Sequence, residues 1–115
     1  MAIDKTLLSG SSTMLILKLL DGQDMYGYQM IEELARRSEH IFDFKTGTLY
    51  PLLHSMEQKG LIEAYEKAEQ TQRPRRYYHL SRKGKGILAE KEREWASYTR
   101  AVEQVLKGGA QYAGA

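Results

Sequence analysis

Residues 61–80 read LIEAYEKAEQTQRPRRYYHL. The two ends of this stretch, Leu61 to Glu66 and Arg75 to Leu80, are short runs containing Ile and Tyr, and the connector Lys67 to Pro74 is polar and carries a proline. Strand formers on either side of such a connector predict two antiparallel strands joined by a loop. In the second run Arg76, Tyr78 and Leu80 alternate with Tyr77 and His79, the period-two signature of a half-buried strand. The same region carries the charge. Lys67 to Lys85 holds seven basic residues against one acidic, Met1 to Glu66 holds six against ten, and the remainder is balanced, so the formal +2 of the chain hides a local +6. That excess sits in Arg73, Arg75, Arg76, Arg82, Lys83 and Lys85, with Tyr77 and Tyr78 among them. Such a cluster supplies counter-charge for phosphate, or simply a soluble surface. The flanking elements decide between the two.

Upstream of the hairpin, a helix is expected with Leu49, Leu52, Leu53 and Met56 at spacing i, i+3, i+4, i+7, closing at Lys59-Gly60. Pro51 is tolerated in a first turn, which puts the helix start near Gly47 or Thr48. At 100° per residue the opposite face carries Pro51, His54, Ser55 and Gln58, with Tyr50 on its flank and no acidic residue. Before it, Gly27 to Arg37 is amphipathic, with Tyr28, Ile31, Leu34 and Ala35 on one face, and Ser11 to Leu20 is apolar nearly all round and must be buried. Downstream, Ser81 is a good N-cap for a long helix running to about Lys107, its first turn weakened by Gly84 and Gly86 and its end marked by Gly108-Gly109. Along it Leu88, Trp95 and Val102 recur every seven residues, with Tyr98, Val105 and Leu106 near the same stripe, an apolar seam that a partner helix would cover.

Three helices, a hairpin and a long last helix make a mainly α protein with a small β-hairpin (α+β): a winged helix-turn-helix with a long C-terminal dimerisation helix. The expected division is a DNA-binding domain over 1–80, a dimerisation helix over 81–107 and a flexible tail over 108–115. In this arrangement the third helix is the natural major-groove reader and the hairpin loop the natural phosphate or minor-groove contact. The candidate DNA-binding residues are Lys45, Thr48, Tyr50, Pro51 and His54 on or before that helix, Arg73, Arg75 and Arg76 in the wing, and Tyr26. Tyr50 has a second reading, with its ring buried and only its hydroxyl wet, and Tyr28 has two, a hydroxyl on phosphate or a ring packed in the core.

The rest of the composition excludes several classes. At 115 residues, 42% hydrophobic and 28% charged, the chain has room for one domain rather than two cores. The absence of Cys removes disulfide frameworks, thiolate metal sites and cysteine nucleophiles, and points to a reducing, cytoplasmic setting. Met14 to Leu20 is broken by Lys18 and is far short of the ~20 residues of a membrane span. His40 with Asp43 and His54 with Glu57 are too few ligands for a metal, so no metal and no cofactor is expected. With no Gly-rich phosphate loop, nucleophile elbow or paired catalytic acids, an enzyme is not expected either.

In its order of motifs the chain resembles the PadR family of bacterial transcriptional regulators from Leu7 to Leu106. The resemblance rests on the Leu-rich first helix, Tyr26-Gly27-Tyr28, Gly47-Thr48-Leu49-Tyr50-Pro51-Leu52, Glu57 with Gly60-Leu61-Ile62, and Arg73-Pro74-Arg75-Arg76-Tyr77-Tyr78 leading into Leu80-Ser81. Gln72, where the family usually has a wing glycine, and Thr46, where a small residue or proline is common, are departures. The single last helix is similar to the short subfamily. The resemblance implies a homodimeric repressor on a near-palindromic operator, paired through its first and last helices. It further implies that the two Trp95 rings line a pocket for a planar aromatic effector, as in some PadR-like multidrug regulators, with Met14 and Leu15 as walls; the plainer role for Trp95 is an interface anchor. The competing class is a winged-helix adaptor that binds protein and no specific DNA, against which the basic wing argues.

Overall fold

A computed structural model of the chain describes residues 3–70 and 72–108. The element order is α1 (Lys5–Leu19), β1 (Met25–Tyr26), α2 (Gly27–Arg37), α3 (Thr46–Gln58), β2 (Ile62–Lys67), β3 (Arg75–Leu80) and α4 (Arg82–Lys107). This is a winged helix with a long C-terminal helix. Tail residues 109–115 lie outside the described residues.

Helix α1 begins six residues before its expected start at Ser11. The Asp4 carboxylate caps it by accepting from the Thr6 N–H at 2.8 Å, and Ser11 and Ser12 lie inside the helix, Ser12 donating to the Leu8 carbonyl at 2.7 Å. In α2 the buried residues are Gly27, Met30 and Leu34. Tyr28 stands about 100° round from Gly27 and is 61% exposed, so of its two readings the packed ring is ruled out. Ser38 then anchors the connector to α3, donating to the Leu34 carbonyl at 2.8 Å and accepting from the Phe42 N–H at 3.0 Å, with Phe44 buried below.

The α3 register is as the periodicity predicts, with Leu49, Leu53 and Met56 inside. Pro51 sits in the second turn, because the helix starts at Thr46, and so the Gly47 carbonyl gets no N–H from it. The hairpin strands pair from Ile62↔Leu80 to Lys67↔Arg75. A strand that periodicity could not reveal, the two-residue β1, joins β3 through Met25↔Tyr78 and Tyr26↔Tyr77, giving the order β1-β3-β2. Tyr77 is therefore buried, as is Tyr78 on the opposite face of the strand, and lies edge-on to Tyr26 and stacked with Tyr65.

The Ser81 hydroxyl accepts from the Gly84 N–H at 3.0 Å and starts α4 where expected. Gly84 does more than weaken that turn. A Cβ there would run into the Leu61 carbonyl oxygen and the Leu80 side chain. An exposed helical Gly→Ala change gains about 1 kcal/mol. Gly84→Ala should instead lose about 2 kcal/mol in urea unfolding, because the backbone oxygen cannot yield.

Leu88 corrects the seam. It is 3% exposed within this chain's own core, so it has no surface to offer a partner. Beyond it α4 stays beside α1 as far as Tyr98, and Trp95, Tyr98, Val102, Val105 and Leu106 are all exposed on a molecule that measures 70 × 32 × 21 Å. Among the described residues, no helix is long and apolar enough to cross a membrane.

Candidate nucleic-acid interface

Burying Leu49, Leu53 and Met56 turns the opposite side of α3 outward. Lys45, Thr48, Tyr50, Pro51 and His54 are all exposed along it, with Gln58 at its end. The two readings of Tyr50 meet halfway. The side chain is 42% exposed, and its hydroxyl reaches over the α2 N-terminus where Gly27, lacking a Cβ, leaves it room. Lys45 pairs with Asp43 at 3.1 Å, a contact open to water that a phosphate can replace.

The arginines of the wing diverge. Arg73 is exposed near the tip. The Arg75 guanidinium lies 4.4 Å from the centroid of the Tyr26 ring, so Tyr26 is a platform for Arg75 as well as a neighbour of Tyr77. The Arg76 guanidinium turns to the other face of the sheet and donates to Glu57 of α3. Together α2, α3 and β3 bound a cleft of about 500 Å³ lined by Tyr26, Tyr28, Tyr50, Arg75 and Arg76, with Glu32 at its edge. Exposed Tyr28 lies beside the candidate DNA-binding residues, where the reading of its hydroxyl as a phosphate contact stays open.

At the base of the hairpin, Asp24 in the turn before β1 holds both wing strands. Its carboxylate accepts from the Tyr65 hydroxyl at 2.6 Å and lies 2.8 Å from His79 Nδ1. Burial pushes the Asp24 carboxyl up, but the Tyr65 and His79 hydrogen bonds and the nearby charges of His79 and Lys67 outweigh it and hold the group below its ordinary value. The bond to Asp24, then burial, push the Tyr65 hydroxyl up to about 12.

Asp24 adds stability that is present above its unfolded value near 4 and lost as pH falls through its depressed folded value. Tyr65 adds stability that is complete below 10 and lost as pH rises toward 12. In Tyr65→Phe the alkaline loss should shrink and the Asp24 carboxyl, followed by carbon NMR, should titrate higher than in the parent. An unmoved Asp24 would deny the hydrogen bond its role.

A second cleft, of about 410 Å³, lies between α1 and α4, lined by Leu7, Gly10, Met14, Lys91, Trp95 and Tyr98 among others. Two of the expected effector residues, Met14 and Trp95, share it. Leu15, one residue round the helix, packs instead against the core and does not line it. Among the described residues there is no group of three or more His, Asp or Glu placed to hold a metal.

The chain matches the transcriptional regulator PadR-like family over residues 16–90. It is 31% identical to an uncharacterised protein of Lysinibacillus sphaericus over 102 residues, covering 89% of this chain and 94% of that one. It is similar to a solved transcriptional regulator from Clostridium thermocellum, with a TM-score of 0.84 at 25% identity over 92% of this chain and all of the other. A solved PadR family transcription regulator from Clostridium difficile is 36% identical, with a TM-score of 0.74 over 84% of this chain and 99% of that one.

Proposed function

The chain belongs to the PadR-like family of transcriptional regulators, and from that membership we propose that it is a sequence-specific repressor acting as a homodimer on a near-palindromic operator. The observation that carries this is the joint exposure of Thr48, Tyr50, Pro51 and His54 on one face of α3 and of the adjacent Arg73 and Arg75, with Glu57, the carboxylate of that helix, already paired with Arg76. Such a helix face can lie in the major groove while neighbouring arginines take phosphates. Residues 1–80 form the DNA-binding unit, and residues 81–107 carry the exposed stripe that a second copy covers. Thr48 and Tyr50 hydroxyls suit phosphate oxygens, and His54 suits a base edge or phosphate. Selection of duplexes from a random pool tests the reading. A two-fold symmetric motif bound with salt-sensitive affinity supports it, and weak, sequence-blind retention sinks it.

The α1/α4 cleft is the seat of an effector in this reading. Trp95 and Tyr98 have ring centroids 6.2 Å apart at an interplanar angle of 34°, and Met14 adds a soft wall, which suits a flat aromatic molecule. Release from DNA then requires that the effector bind the DNA-free arrangement better than the bound one. Trp95 is the sole tryptophan, so its emission reports the cleft directly. Titration with a planar dye such as Hoechst 33342 should change that emission saturably and lower operator affinity. Constant emission at saturating dye would remove the effector from the account.

A further inference from the structure

Arg76 and Arg75 are neighbours in sequence that serve opposite faces of one strand. Arg76 shares a face with Tyr78 and Leu80, both buried, whereas Arg75 shares the other face with Tyr77 and lies over Tyr26. On its own side, Arg76 Nη2 donates to both carboxylate oxygens of Glu57, at 2.9 and 3.2 Å, and the guanidinium lies 5.9 Å from the Tyr78 ring centroid. Glu57 is in the last turn of α3, the helix that presents Thr48, Tyr50 and His54.

The place of this contact matters. Strand β1 pairs with β3 only at Tyr78 and Tyr77, so Arg76 is the first residue at which the sheet narrows from three strands to two. An isolated pair of strands is marginal and free to swing. The Glu57–Arg76 contact takes over where β1 stops. We propose that Arg76 is a positioning residue that locks the hairpin to α3 through Glu57, and so sets the angle at which wing and recognition helix meet DNA. The phosphate contacts then fall to Arg73 and Arg75. This inference rests on the DNA-binding reading above. Because the pair is exposed, it adds little to global stability and can be removed without unfolding the chain.

With no native cysteine to compete, spin labels can be placed singly at Ala68→Cys in the hairpin connector and His54→Cys on α3. The distance distribution between them should be narrow in the parent and clearly broader with Glu57→Gln. It should narrow again in the exchange Glu57→Arg with Arg76→Glu. An unchanged width with Glu57→Gln overturns the lock. On the selected duplex, without labels, Glu57→Gln and Arg76→Gln should each lose about tenfold in affinity through lost preorganisation, at constant salt slope, and the exchange should recover most of it. If Arg76→Gln instead makes the slope shallower by about two, one phosphate for each subunit of a dimer, and the exchange recovers nothing, Arg76 is a phosphate contact and the proposal is wrong. If the parent selects no duplex, the DNA-binding reading fails, while the label distances still decide the lock.

Discussion

Replacing Arg73 and Arg75 together with alanine should weaken binding to the selected duplex by about a thousandfold at about 0.1 M salt, and flatten the plot of log affinity against log salt by three to four. The arithmetic is that of counterion release. Two arginines in each of two subunits neutralise four phosphates, and each phosphate contributes about 0.9 to the slope. Both side chains are exposed, and among the described residues the one partner seen for either is the Tyr26 ring beneath Arg75, so the fold loses no more than about 1 kcal/mol for that stacking. The loss should be nearly uniform across sequences, since phosphate contacts position the protein without reading bases. Fluorescence anisotropy at several salt concentrations checks this. An unchanged slope would mean that the wing stays off the backbone.

The second large effect is on assembly. Val105 and Leu106 are 80% and 78% exposed on α4, and Val102 lies one turn before on the same stripe. Soluble chains rarely leave such a stripe uncovered. Val102→Glu with Leu106→Glu would place four carboxylates in the two-fold interface, each stripped of water without a partner. The dimer should weaken by about a thousandfold or more, equivalent to about 4 kcal/mol, as read by sedimentation equilibrium. The monomer should keep its circular dichroism, because neither side chain belongs to the core. Operator affinity should fall in parallel, since two tethered half-site contacts become independent events. A variant that remained dimeric would move the interface away from this stripe.

Much of this architecture was legible in the residues. The buried side of α3 follows from four apolar positions at helical spacing, and Arg75–Leu80 and the Ser81 cap sit where alternation and capping chemistry put them. What could not be read depends on pairings distant in sequence. Strand β1 is two residues long, too short for any period, and only its pairing with β3 shows that Tyr26 turns inward and Tyr28 outward. Leu88 fits the seven-residue seam, yet it falls where α4 still lies on the body of the protein. Arg76 has the same composition cue as Arg75, and only the strand's pleat, with Glu57 19 residues away on another element, separates their roles. Asp24, Tyr65 and His79 carry no local motif at all, since their contacts span 41 and 55 residues.

A dimer of this kind docks α3 and the hairpin on DNA twice, related by its two-fold axis. Hydroxyl-radical footprinting on the selected duplex tests it most directly. Two protected patches are expected, mirror-related about the centre of the motif and one helical turn or a whole multiple of it apart, about 34–36 Å per turn. A single asymmetric patch, or protection spread evenly along the duplex, would contradict it.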